Sequence, residues 1–309
     1  MTNKGRPFAV FGAGFIGMHF VRYALQWGHA LTILDHKSVP DDLFRKVNWM
    51  QGDFASRADI VRALVDADTV FHFISSTVPG DMVDISSELQ KNVFQTLQLL
   101  EACIEQKVRR IVFVSSASVY GPQKTLPISE TAPTDPVSAH GIHKLAIEKY
   151  LQLYHHQYGL DCRILRVSNP FGPGQCITGR QGFIAIAIGR IVAGENLMLR
   201  GDGTYIRDFI YIDDVVDALY RTATIDSSER VFNVGSGLGY SLNEVVALMR
   251  DLTGLSIPVV YSNSRHADVP ESVLDISRLR PILRMKVPLS LRAGLVKTLT
   301  FHGISCRSK

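Results

Sequence analysis

Nothing in the chain is apolar for long enough to cross a bilayer, which takes about 20 consecutive residues. Cysteine is scarce as well: Cys103, Cys162, Cys176 and Cys306 are the four in 309 residues, far apart, with no Cys-x-x-Cys pair and no histidine at metal-ligand spacing. Such a set excludes a disulfide framework and a structural zinc site, and reads as reduced thiols. Neither sign of charge dominates. The 33 Lys and Arg against 29 Asp and Glu give a net charge of +4, and the cations are dispersed. That pattern excludes a basic stripe for nucleic acid and suits a solvated surface with a few cations for an anionic ligand. Internal repeats, low-complexity segments, a metal-ligand cluster and a Gly-x-Ser-x-Gly nucleophile elbow are all missing. Residues 1–7 hold no apolar leader before the first apolar run, so the expected location is the cytoplasm, without a membrane partner.

What is present is an ordinary globular balance, 46% hydrophobic and 20% charged, arranged with a clear rhythm. Apolar runs at residues 8–11, 31–34, 47–51, 69–73, 110–114 and 162–167 predict strands. Amphipathic segments at 16–27, 57–66, 85–105 and 138–158 predict helices between them. Strands that are apolar throughout, alternating with helices, predict an α/β Rossmann fold, a doubly wound parallel sheet covered on both faces. After Asn169 the rhythm changes: helices at 183–193, 213–222, 241–252 and 289–299, strands at 208–212 and 231–235, and a turn at 200–204. The reading is a dinucleotide-binding domain over 1–170, with sheet-completing pieces near 208–236. A smaller C-terminal substrate-binding lobe over 171–309 is interleaved with it.

Gly12, Gly14 and Gly17 stand in a Gly-x-Gly-x-x-Gly spacing between the first strand and the first helix. Glycines there permit a tight turn and a close approach of backbone to a pyrophosphate, and the helix that opens at Phe15 and Ile16 offers unpaired N–H groups to it. Asp35 ends the second strand, where a carboxylate accepts from the adenosine ribose hydroxyls and repels a 2′-phosphate. NAD is therefore the expected cofactor, over NADP. His36 beside it reads as a turn residue.

Further motifs follow in order: Gly52-Asp53-Phe54; Phe71-His72-Phe73-Ile74-Ser75; Asn92 on the third helix; Val114-Ser115-Ser116-Ala117-Ser118-Val119-Tyr120-Gly121; Arg166 to Pro173; Gly201 to Asp214; and Arg265 to Asp275. In this order, over Phe8 to about Leu295, the chain resembles the extended short-chain dehydrogenase/reductase family, in its NAD-dependent epimerase/dehydratase branch. The resemblance implies that Asp53 and Phe54 contact adenine, that Phe73 and Ser75 lie beneath the cofactor, and that Asn92 supports the site. It implies Ser116 as the hydroxyl at the reacting oxygen, with Ser118 as second candidate. Asn169, Arg207 and Arg265 would bind the sugar diphosphate, with Asp268 orienting Arg265 and with Gln175, Arg180 and Gln181 as further contacts. Two guanidiniums suit a diphosphate because each gives bidentate, charge-assisted contacts. A homodimer formed through the helices at 85–105 and 138–158, and a role in polysaccharide precursor synthesis, are also implied.

The chain departs from this family at one point. Where the family has Tyr-x-x-x-Lys, this chain has His140-Gly141-Ile142-His143-Lys144. Residues four apart share a helix face, so Lys144 reaches the nicotinamide ribose while staying near the acid/base group at 140. An imidazole titrates near neutrality without help, and Lys144 and the cationic nicotinamide push it further toward the neutral base. It is also shorter than a phenol, so a bridging water or Ser116 is needed where direct reach fails. His143 and Tyr150 read as helix surface or packing. Ala117 and Ser118 stand where the family's dehydratases carry Asp-Glu, which argues for epimerisation or redox chemistry at C4 over dehydration. The expected function is a nucleotide-sugar 4-epimerase of the UDP-hexose class, acting by transient NAD-dependent oxidation at C4. A nucleotide-sugar reductase or dehydrogenase, and a catalytically silent NAD or nucleotide-sugar binding protein, remain as alternatives.

Overall fold

The computed structural model describes residues 5–76, 84–179, 181–263 and 269–307. A strand–helix alternation runs first: β1 (Gly5–Phe11), α1 (Phe15–Leu25), β2 (His29–Asp35), β3 (Asn48–Gln51), α2 (Arg57–Ala63), β4 (Thr69–His72), α3 (Ile85–Leu89), α4 (Gln95–Glu105), β5 (Arg110–Ser116), α5 (Ala139–Tyr158) and β6 (Asp161–Val167). Shorter elements follow. They are β7 (Asn169–Phe171), α6 (Phe183–Ala193), β8 (Leu197–Arg200), β9 (Ile206–Tyr211), α7 (Ile212–Thr224), β10 (Val231–Val234), β11 (Gly239–Ser241), α8 (Leu242–Thr253), β12 (Val259–Ser262), β13 (Glu271–Ser272), α9 (Leu279–Leu283) and α10 (Leu291–Phe301).

Seven strands form one parallel sheet in the order β3-β2-β1-β4-β5-β6-β10. The α/β Rossmann class holds. The strand order reverses between β1 and β4, and doubly wound sheets bind ligands at that crevice, beyond the carboxyl ends of the strands. Side chains alternate across the sheet. Phe8, Val10, Val112 and Leu165 enter the core shared with α1 and α7, whereas Ala9, Phe11, Phe113 and Ile164 enter the core under α2, α4 and α5. Each large apolar side chain so buried contributes about 1.5–3 kcal/mol. Because both faces are covered, the strands need no polar side and their middles are mostly apolar, with buried Arg110, Arg163 and Arg166 as charged exceptions on β5 and β6.

The structure corrects several expectations. The helix expected over 85–105 passes through a π turn at Gln90–Phe94 between α3 and α4. There Asn92 Nδ2 donates to Glu88 O and Thr96 Oγ1 donates to Asn92 O, and side chains that take carbonyls one turn back loosen the regular ladder. The helix expected over 57–66 stops at Ala63. Of the two strands expected to complete the main sheet near 208–236, only β10 joins it. β9 instead centres a second sheet, flanked by antiparallel β11 and parallel β13, with β7 also pairing along it. β8 and β12 form a separate parallel pair.

Candidate functional site

The turn between β1 and α1 is built from its three glycines, each for a different reason. Gly12 has φ of +93°, a conformation that disfavours any side chain, and its N–H donates to Leu34 O at 3.0 Å. A Cβ on Gly17 would collide with the Gly12 carbonyl, so α1 starts flush against the turn. A Cβ on Gly14 would meet nothing within 4 Å. That open side lies at the N-cap of α1, which has no side-chain cap, so its first N–H groups remain for an anion. The arrangement fits the pyrophosphate of a dinucleotide.

Asp35 fits the same ligand. It is 8% exposed. One carboxylate oxygen accepts from Ala13 N at 2.6 Å and the other from Lys37 N at 2.9 Å, which ties the end of β2 to the glycine turn and leaves one lone pair on each oxygen for ribose hydroxyls. His36 is exposed, with Nδ1 3.4 Å from the same carboxylate. Asp53 lies one residue from Gly52, whose N–H donates to Asp35 O at 2.9 Å, and the Asp53 side chain accepts from Ala55 N. The Phe54 ring packs in the core against Phe11 and His72. Phe73 is half-buried between Gly17 and Phe20, and Ser75 is exposed just beyond it. Asn92 is buried. Its amide accepts from Ser76 N at 2.9 Å and donates to Ser76 Oγ at 2.8 Å, so it anchors the segment that carries Ser75.

The candidate chemistry lies where β5 ends against the first turn of α5. Ser116 caps a 3₁₀ turn at Ala117–Val119. Ser138 caps α5, accepting from Gly141 N. A Cβ on Gly141 would lie 2.5 Å from the Ser118 carbonyl oxygen, so the helix rests directly on the serine turn, with half-buried His140 next to the contact. Lys144 is buried, its Nζ donating to Val114 O at 2.8 Å and standing 4.7 Å from the centre of the Phe113 ring. Burial pushes its amine down to about 8, against the opposing pull of the Glu148 carboxylate. His143 is buried as well, and burial holds its imidazole below the usual range while Glu88 on α3 opposes. It is packing. Tyr150 is exposed on the far side of the helix.

Sequence reasoning passed over the group that holds α5 in place. Glu148, fully buried, accepts from Ser115 Oγ at 2.5 Å and from Arg166 Nη2 at 2.7 Å and Nε at 3.1 Å. The signal was a carboxylate one turn past Lys144 on the buried face. His19 on α1 was also passed over. Its Nε2 donates to Pro173 O at 2.8 Å, joining the dinucleotide helix to the loop after β7. On the second sheet, Asn169 Nδ2 donates to Asp208 O at 2.9 Å. Arg207 stands on β9 two residues from Phe209, the register partner of Asn169, with its guanidinium over Tyr205. Buried Asp208 accepts from Ser236 N, Ser236 Oγ and Gly237 N, and burial raises its carboxyl above the usual range in spite of them. Gln175 Nε2 is 3.4 Å from Pro170 O, and Gln181 is exposed. Arg265, Asp268 and Arg180 lie outside the described residues.

The model of the NAD dependent epimerase/dehydratase family matches residues 9–235. The chain is 32% identical over 303 residues to the UDP-glucose 4-epimerase of Mycolicibacterium smegmatis, covering 94% of this chain and 96% of that one. Among solved structures it is similar to the UDP-glucose 4-epimerase of Thermotoga maritima with UDP-glucose, at a TM-score of 0.90 and 31% identity over 96% of this chain and 98% of that one. It is also similar to the UDP-glucuronic acid 4-epimerase of Bacillus cereus in complex with UDP-glucuronic acid and NAD, at a TM-score of 0.86 and 25% identity over 96% and 98% of the two chains.

Proposed function

This chain belongs to the NAD-dependent epimerase/dehydratase family, and from that premise we propose that it interconverts UDP-linked hexoses epimeric at C4, with His140 as the acid/base group. The enzyme is an NAD-dependent nucleotide-sugar epimerase. NAD, when bound, supplies a reversible acceptor for the C4 hydride. The open Gly14 turn and Asp35 hold its pyrophosphate and adenosine ribose, and Lys144 anchors the nicotinamide ribose. Asn169 and Arg207, on neighbouring strands of the second sheet, hold the sugar diphosphate with Arg265. Ser116 bonds the reacting oxygen and His140 takes and returns its proton.

The observation that carries this reading is the seating of Gly141 on the Ser118 carbonyl. It puts the residue-140 position next to the serine turn, and the one-turn spacing to Lys144 supports reading the three groups as one site. Ala117 and Ser118 occupy that same turn. With no carboxylate on it, nothing there removes the carbon-bound proton that an elimination requires, which favours epimerisation.

The test is incubation of the purified protein with UDP-glucose, UDP-galactose and their N-acetyl forms. Either member of a pair is expected to give the same final mixture, without net nicotinamide absorbance change. His140→Ala is expected to lower kcat by about 10²–10⁴-fold. No interconversion of any pair by protein shown to hold NAD overturns the reading, and a stoichiometric absorbance change identifies a reductase instead.

The protein also acts as a homodimer in this reading. Ile85, Leu89 and Phe94 along α3 and the π turn, and Ile142, Tyr150 and Leu153 along α5, leave large apolar side chains exposed on two adjacent long helices. Several large apolar side chains exposed along one pair of helices favour an interface, and two such pairs would cover each other in a four-helix contact. Sedimentation is expected to give twice the 34.3 kDa chain mass, and a monomer at micromolar concentration overturns the dimer.

A further inference from the structure

We propose that Ser118 fixes the direction of the hydrogen-bond chain at the reacting sugar oxygen, making Ser116 an obligate donor and leaving the sugar hydroxyl proton to His140. The inference rests on the epimerase reading and concerns which way each hydrogen bond in that site points. A serine hydroxyl has one proton and two lone pairs. The Ser116 oxygen accepts from Ser118 N at 3.2 Å and from Ser118 Oγ at 2.9 Å, so both lone pairs are engaged by one residue. Toward any oxygen placed beside it, Ser116 can then only donate.

The arrangement is rigid. Ser116 caps the turn at Ala117–Val119 and Ser118 lies within it, and the turn's last residue, Val119, and the Tyr120 that follows are fully buried. Tyr120 is held in turn by a hydrogen bond to Asn233 Oδ1 at 2.6 Å, and α5 lies on the Ser118 carbonyl at Gly141. Ser118 therefore keeps its hydroxyl on Ser116 before any sugar arrives.

The direction has a chemical consequence. The O4 hydroxyl accepts from Ser116 and must give its own hydrogen to another acceptor, the unprotonated ring nitrogen of His140. When C4 would give up hydride to bound NAD, the O4–H bond would break, its electron pair would form the C4=O bond, and the proton would pass to His140. Ser116 then donates to the ketone oxygen without reorganising, and the same proton returns to O4 when hydride is delivered to the other face. Transfer through Ser116, which an imidazole shorter than a phenol would otherwise invite, is blocked because Ser116 has no lone pair to receive the proton.

Ser118→Ala and Ser118→Thr in the NAD-loaded enzyme test this. Ser118→Ala frees one lone pair of Ser116 and is expected to lower kcat about tenfold with KM nearly unchanged, the scale of one oriented hydrogen bond. Ser118→Thr restores it. The proton inventory in mixed H₂O and D₂O is expected to be linear in the native enzyme, with one proton in flight, and bowed in Ser118→Ala. An inventory unchanged by Ser118→Ala, or a kcat loss that Thr does not rescue, overturns the inference. A binding comparison separates it from the epimerase reading. The native protein is expected to bind UDP-4-deoxy-4-fluoroglucose, an acceptor only, about threefold tighter than UDP-4-deoxyglucose, and Ser118→Ala to narrow that preference, because its Ser116 hydroxyl is no longer held in the donating direction. If that preference is present and Ser118-dependent while the native protein epimerises nothing, the epimerase reading fails and the direction set by Ser118 stands. If the preference is absent, the inference fails whatever the turnover.

Discussion

Glu148→Gln is expected to lower the free energy of unfolding by about 3–5 kcal/mol, the cost of leaving one member of a buried ion pair uncompensated. Glu148 has no exposed surface and Arg166 is 5% exposed. The Arg166 guanidinium meets the carboxylate with Nη2 at 2.7 Å and Nε at 3.1 Å, donates to Glu130 O at 3.2 Å, and lies 4.7 Å from the centre of the Tyr120 ring. An amide keeps the shape but not the charge, and it turns an N–H₂ toward groups that are themselves donors, Ser115 Oγ or the guanidinium. Removing both partners costs less than removing one, because the penalty of the single variant is mostly the stranded charge. Glu148→Leu combined with Arg166→Leu should therefore recover most of the loss, and urea unfolding of the two single variants and the double variant measures it. A Glu148→Gln effect below about 1 kcal/mol would place the pair with surface salt bridges and overturn the argument.

The elements that the sequence made legible are those whose pattern is long enough to show a period, or, as with four-residue β3, β4 and β10, those that fall in the strand–helix rhythm. β1, β2, β5 and β6 span seven residues each and α5 spans 20, and their apolar positions announced both the type of element and the buried face. The strands β7, β8, β11, β12 and β13 have two to four residues, too few for alternation to differ from chance, and they exist because their neighbours in the sheets offer edges. The π turn was hidden for another reason. It arises where Asn92 and Thr96 compete for carbonyls, and any helical sequence contains such residues at exposed positions without consequence. The site divides the same way. Glycine spacing and Asp35 are local signals, each readable from its own neighbours in the chain. The seating of Gly141 on Ser118, the pairing of Glu148 with Arg166 and the burial of His143 within reach of the Glu88 charge join separate segments, and only the packed structure brings them together.

Replacing Lys144 by Met is expected to cut turnover sharply while making the protein more stable, because the same burial serves the proposed chemistry and penalises the fold. The ammonium is 6% exposed, bonded to Val114 O and set over the Phe113 ring. In the proposed reading this cation anchors the nicotinamide ribose and sets the field at His140, and its loss should lower kcat about 10³-fold, the scale of removing a preorganised electrostatic group. The stability effect has a definite sign. The amine titrates at about 8 in the folded chain and at its ordinary 10.5 when unfolded, so between those values the unfolded chain binds more protons and native stability rises with pH. Below pH 8 the full cost of burying the charge is present, about 3 kcal/mol from the difference between the two values. Met fills the same channel without a charge, so at neutral pH the variant should be the more stable by up to about that amount. The advantage should shrink as pH rises from 8 to 10.5, since the native chain then buries a neutral amine. Urea midpoints for both proteins across that range measure it. A Lys144→Met protein that is less stable at neutral pH, by a margin that pH does not change, would mean that the contacts of the ammonium outweigh its desolvation.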